Sequence, residues 1–280
     1  MSRIFIFFLF NVFAISVFAG GSKRVEVQTN VGVMEFELYD DTPLHRDAFL
    51  KLAGENYFDG TLFYRVISDY LIQGGSRSSR NAPAGARIGY GSPDHTVDDE
   101  IRANHFHRRG ALCAPRQDDA VNPFKQSDIS QFYVVQGSVR RQGELDTLEL
   151  SVNIPIKKRV TAAVYTEEVR ERLKRLKKEA SEATDVDVAR AKTEEFRALA
   201  ENVKQEIQTQ IELDRNFLRF TDEERLVYST EGGYPELDGK YTVFGECVRG
   251  FDVLKRISGV GVDGNARPLK DVVIIDVVVK

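Results

Sequence analysis

The chain has 280 residues, 42% hydrophobic and 29% charged, which excludes a wholly disordered or fibrous protein and leaves room for a buried core. Its 39 basic and 43 acidic residues give a net charge of -4, so there is no cationic footprint for nucleic acid. Two cysteines, Cys113 and Cys247, are too few for a disulfide scaffold or a structural zinc site.

Residues 1–19 read as a cleaved secretory signal. Arg3 supplies the positive charge, 4–18 is apolar apart from Asn11 and Ser16, and Val17 and Ala19 are the small residues of a cut after Ala19. The run is short for a helix that must cross a core of ~30 Å, and Gly20, Gly21 and Ser22 break it. The expectation is a secreted or periplasmic protein with no stable membrane span after cleavage; the alternative is an anchor.

Residues 24–29 and 33–39 alternate around a turn at 30–32, which predicts a β-hairpin with Val25, Val27, Met34, Phe36 and Leu38 on its buried face. Thr42 and Pro43 predict a helix start, Thr42 as N-cap, with Leu44, Ala48, Phe49, Leu52 and Ala53 as its apolar stripe. Short strands are predicted at 62–67, 70–73, 110–114, 131–136, 241–249 and 271–279, with polar loops at 76–109 and 116–130. Phe251, Val253, Leu254 and Ile257 mark a second short helix. Eight short strands over 24–137 and 231–280 predict a mainly β architecture, a closed antiparallel barrel capped by two helices.

Residues 138–230 differ in kind. A charged helix at 167–180 carries Val169, Leu173, Leu176 and Ala180 on one stripe. Phe196, Leu199, Val203, Ile207 and Ile211 form a seam over 186–219, and Thr221 with Glu224 is a capping box for one more short helix. This block predicts an α-helical hairpin inserted into the barrel. Its charge suits a solvated face.

Five strings stand in order along the barrel segments: the helix start Thr42-Pro43 with Phe49, Tyr57 to Ile67 (YFDGTLFYRVI), Tyr70 to Gly75 (YLIQGG), Ser130 to Tyr133 (SQFY) and Leu237 to Gly245 (LDGKYTVFG). On these strings the chain resembles the cyclophilin-type peptidyl-prolyl cis-trans isomerases, in an exported bacterial form with a helical insertion. The resemblance implies a catalyst of rotation about X-Pro bonds that uses no cofactor and no metal. Such a catalyst must hold the proline ring and weaken nitrogen–carbonyl conjugation, which sets a barrier of ~18–20 kcal/mol. A guanidinium that donates to the prolyl nitrogen as the bond twists does this, because the donor is worth most in the twisted state.

Carried over by position, the resemblance makes Arg65 and Gln73 the catalytic pair. It makes Tyr70, Ala114, Arg116, Gln131, Tyr133, Leu237 and Tyr241 substrate-binding. Without the flanking motifs, Arg65 would read as an edge-strand arginine facing solvent. The chain departs from the family at Tyr64 and Tyr241, where His is usual, and at Glu236, where some members carry Trp. It departs again at Ala114 and Arg116, which replace Met and Asn, and the resemblance therefore implies a wider, more polar proline slot.

His95, His105 and His107 with Asp98, Asp99 and Glu100 lack helical metal spacing, and 97–100 resembles a family loop instead. Cys113 and Cys247 are open between a disulfide and two buried thiols. The partners implied are proline-containing polypeptide clients, and the insertion offers a surface for a partner protein. Two rivals stand beside the enzyme. One is a chaperone module that binds proline segments with little turnover; the other is a ligand-carrying barrel with a helical lid.

Overall fold

The computed structural model describes residues 23–89 and 95–280. The stretch 1–19, read above as a signal, lies outside the described residues. Among them, no helix is long and apolar enough to cross a membrane.

Eight strands build one antiparallel sheet: β1 (Lys23–Thr29), β2 (Val33–Leu38), β3 (Phe63–Ile67), β4 (Leu71–Gly74), β6 (Ala111–Cys113), β8 (Phe132–Val135), β9 (Val243–Arg249) and β10 (Ile274–Val279). Their spatial order is β10-β1-β2-β9-β6-β8-β4-β3. A separate two-stranded ribbon, β5 (Thr96–Val97) with β7 (Ser127–Asp128), lies in stretches whose polar composition predicted only loop.

The expected closed barrel is corrected to an open half-barrel. Its edges, β3 and β10, meet only through the isolated bridge Leu62–Val273 and single bonds such as Phe63 N–H to Val272 O (2.9 Å) and Val66 N–H to Ala266 O (2.8 Å). The chain before β10 passes β3 as irregular backbone, and its carbonyls accept from β3 N–H groups without a continuous ladder.

Two helices, α1 (Pro43–Gly54) and α6 (Phe251–Ser258), pack on the inner face. Phe49 of α1 is completely buried against Phe58, Phe132 and Phe244, with ring centroids 5.1, 5.5 and 5.4 Å away. Two expectations for α1 change. Leu44 is exposed and His45 takes the core-facing position, because residues 45, 49, 52 and 53 share one face. Thr42 makes no side-chain cap bond; Glu100, from the loop after β5, accepts from Leu44 N–H (3.1 Å) and His45 N–H (3.0 Å) instead. A remote carboxylate thus satisfies the helix N-terminus and opposes its dipole.

Between β8 and β9 lie four helices, where the pattern predicted a hairpin and a short helix: α2 (Gln142–Val164), α3 (Glu167–Glu182), α4 (Val186–Glu212) and α5 (Asp222–Thr230). The sequence reading missed α2, whose internal Pro155 is ordinarily a stop signal. Ile156 and Val160 of α2 bury against Ile211 of α4, and that packing outweighs the lost backbone bond. The α4 helix ends at Glu212, short of the expected 219. Asp214 there accepts from Asn216 N–H (2.9 Å), a local turn that competes with helix.

The two ends of this helical block are clasped. Ser138 and Gly233 exchange both backbone bonds at 3.1 Å. A Cβ on Gly137, which sits at φ +53°, would lie 2.3 Å from the Gly233 carbonyl. Only glycine permits that approach.

Candidate active site

Register places one row of residues across the outer face: Arg65 opposite Gln73, Gln73 opposite Tyr133, Tyr133 opposite Cys113. The next row, Val66, Ile72, Val134 and Leu112, points into the inner core. Arg65 reaches the outer row because β3 bulges. Phe63 pairs Gly74 and Arg65 pairs Gln73, which leaves Tyr64 as an extra residue.

Tyr64 fills the bulge as a buried hinge of hydrogen bonds. Its hydroxyl donates to Gln131 Oε1 and accepts from Gln73 Nε2 at 2.8 Å. Gln73 Oε1 in turn accepts from Arg65 Nη1 at 3.2 Å. Gln131 Nε2 donates to Asp128 Oδ2 at 2.6 Å. The guanidinium is therefore held in one orientation by a chain anchored in the ribbon strand β7. Burial pushes the Tyr64 phenol well above its ordinary pKa, with Asp128 adding to it, so it stays a neutral donor.

Beside Arg65 the outer face is apolar. Leu71, Tyr133 and Leu237 form one buried cluster with Val243, and Tyr70, Tyr234 and Tyr241 pack over it. Arg65 stands 5.9 Å above the Tyr70 ring, and Tyr70 lies 4.2 Å from Tyr234, centroid to centroid. Arg116 lies 5.0 Å over Tyr241 and donates to Lys240 O at 2.6 Å. Of the nine expected site residues, seven gather here: Arg65, Gln73, Tyr70, Arg116, Tyr133, Leu237 and Tyr241.

The other two lie behind this face. Ala114 is completely buried in the inner cluster, since strand alternation turns it away from Cys113 and the outer face. Gln131 is 3% exposed and bonded at both ends of its amide, so it braces Tyr64 and Gln73 from behind.

Sequence reasoning missed Leu71, Tyr234 and a buried polar chain beneath the slot. His107 donates through Nδ1 to Asp238 Oδ1 (2.9 Å), which leaves Nε2 to accept from the Tyr133 hydroxyl (3.1 Å). Asp238 also accepts from His107 N–H (2.8 Å) and from the hydroxyl of Tyr228 on α5 (2.6 Å). Burial raises the Tyr133 phenol far above its usual pKa, so it remains the donor. The only sequence signal was the lone Asp238 within LDGK.

The remaining groups have structural partners. Glu236 pairs with Arg140 at 3.0 Å. His45 meets Glu100 at 2.8 Å and His105 meets Asp41 at 2.6 Å. Among the described residues no three metal-ligating side chains converge. Cys113 and Cys247 are both free and buried, on opposite faces of the sheet. Burial raises both thiols, Cys247 to about 12.

A half-barrel of eight antiparallel strands with helices on its inner face, and an oriented arginine beside an apolar slot on its outer face, is a cyclophilin-like fold. The family described as cyclophilin type peptidyl-prolyl cis-trans isomerase/CLD matches residues 24–193 and 216–279, and the chain belongs to that family. A Staphylococcus aureus (strain COL) protein named as a peptidyl-prolyl cis-trans isomerase is 26% identical over 255 residues, 91% of this chain and 90% of that one. A Streptococcus pyogenes protein named as a bifunctional phosphatase/peptidyl-prolyl cis-trans isomerase is 26% identical over 258 residues; the chain spans only 37% of its length. A crystal structure of a Cryptosporidium parvum cyclophilin-type isomerase shares the fold at 18% identity, with a TM-score of 0.50 over 93% of this chain and 98% of that one.

Proposed function

We propose that the chain catalyses cis–trans isomerisation of X-Pro bonds in polypeptides that fold outside the cytoplasm. The observation that carries this reading is the Arg65 guanidinium, fixed by Gln73 at the rim of an apolar slot. The slot formed by Tyr70, Leu71, Tyr133 and Leu237 receives the proline ring. Arg65 donates to the prolyl nitrogen as conjugation breaks, and no proton is transferred. A rate gain of ~4 decades requires about 5.5 kcal/mol of preference for the twisted state. The export signal read at 1–19 supports a secreted or periplasmic site of action, and the helical block offers surface for a client or partner protein.

One observation favours the proline-binding chaperone as a second reading. Tyr133 and Leu237 are only 3% and 7% exposed under their tyrosine cover, so ring insertion must displace Tyr70, Tyr234 or Tyr241. A proline-limited refolding assay with a small proline peptide in parallel separates the two. The expected result is turnover that falls at least ~10-fold in kcat/KM, ~1.4 kcal/mol, in Arg65→Ala with an unchanged circular dichroism spectrum. Full activity in a folded Arg65→Ala protein would sink the mechanism. Binding without turnover in the wild type would favour the chaperone.

A further inference from the structure

Arg65 also lines a cavity of about 350 Å³ that shares no residue with the apolar cluster of the slot; Tyr64, Arg87, Gly89, Asn265 and Arg267 are among its other walls. That is at the lower end of the ~300–1,000 Å³ of small-ligand sites, the size for a side chain or two. No carboxylate is among the described residues that line it. Arg267 is already neutralised: it pairs with Asp271 at 3.0 Å and donates to the carbonyls of Pro83 (2.7 Å) and Ala82 (2.9 Å), so it braces the floor. The nearby Asp263 carboxylate is engaged by the N–H groups of Asn265 (2.8 Å) and Arg267 (2.9 Å).

Two cations remain. Arg65 spends one N–H group on Gln73 and meets no carboxylate among the described residues. Arg87 makes no hydrogen bond or ion pair there either. A concave surface with two guanidinium groups and an Asn265 side-chain amide that meet no carboxylate among the described residues suits an anion, and arginine forks match carboxylates. We infer that this cavity is an acidic-residue subsite, which takes the carboxylate of an Asp or Glu flanking the proline of a bound peptide. Arg87 and Asn265 are its donors, and the Arg65 charge stands in its wall. The inference rests on the reading that Arg65 faces the prolyl bond, since that sets the neighbouring peptide residue at the cavity.

The test uses the mature chain and short peptides with Glu, Gln or Lys immediately before or after the proline. Both kcat/KM and, by calorimetry, Kd are measured at low and high salt. At one of the two positions Glu exceeds Lys by about fivefold or more, chiefly through KM, as one partly exposed ion pair allows. The margin shrinks at high salt. The Glu-to-Lys ratio is lost in Arg87→Ala, reversed in Arg87→Glu and retained in Arg87→Lys. Equal values for Glu, Gln and Lys at both positions would overturn the subsite, as would an unchanged ratio in Arg87→Glu. If no peptide is turned over, the proposed activity fails, and the Kd ranking alone then upholds or overturns the subsite.

Discussion

Tyr64 carries more of the site than its place in the sequence indicates. It is the extra residue of a bulge, and its hydroxyl joins Gln73 to Gln131. In Tyr64→Phe the phenyl ring still fills the space, but Gln131 Oε1 retains only the long 3.4 Å contact with Gln73. A buried polar group left short of a partner costs about 1–3 kcal/mol. Urea unfolding should show a loss of that size. Peptide kcat/KM should fall several-fold, because Gln73 no longer holds Arg65 against one anchor. Wild-type stability and turnover in Tyr64→Phe would mean that Asp128 and Gln131 orient the pair without the phenol.

The first turn of α1 shows how an element can depend on a distant side chain. Glu100 satisfies two backbone N–H groups and the His45 ring at once. Glu100→Ala should cost about 1–3 kcal/mol, at about 2–4 °C of Tm per kcal/mol for a domain of this size; Glu100→Gln should recover part of it. His45 adds a pH dependence. Burial lowers its pKa below the ordinary 6.5, a shift that Glu100 only partly offsets. The unfolded chain therefore binds a proton that the native chain resists, and stability drains away as pH falls below 6.5. Calorimetric scans from neutral to mildly acidic pH should show a shallower decline in His45→Gln than in the wild type. Parallel declines would assign the acid sensitivity to other groups.

At the scale of the whole molecule, the helical block is tied to the slot at two points. Arg140 packs 5.2 Å over Tyr234, which lies against Tyr70. Tyr228 of α5 holds Asp238, which orients His107 and through it Tyr133. The 27 residues of α4 span about 40 Å, so its far end stands clear of these ties. Two deletions then have different consequences. Replacing 167–203 by a short Gly/Ser linker keeps both ties and should leave small-peptide turnover intact while slowing catalysed refolding of a protein client. Replacing 140–229 removes Tyr228 and Arg140 and should lower peptide turnover as well. Equal protein refolding by the first variant and the wild type would make the distal helices dispensable for clients.

Much of the architecture was legible because strand and helix periodicities are local. Val25, Val27, Met34, Phe36 and Leu38 alternate, and all five are buried; the capping box at Thr221 and Glu224 forms as written. The motif resemblance likewise pointed to Arg65, Gln73, Tyr70, Tyr133 and Leu237, which the fold gathers on one face; sheet register aligns only Arg65, Gln73 and Tyr133 among them. The tertiary structure alone decided the rest. Whether β3 closes on β10 depends on the path of a distant loop. Whether Pro155 is tolerated depends on Ile156 and Val160 finding Ile211. The capping of α1 by Glu100, the inward turn of Ala114 and the His107–Asp238 support of Tyr133 are partnerships between residues far apart in the chain. No local pattern records them, since each is set by which surfaces the folded sheet brings within hydrogen-bonding or packing distance.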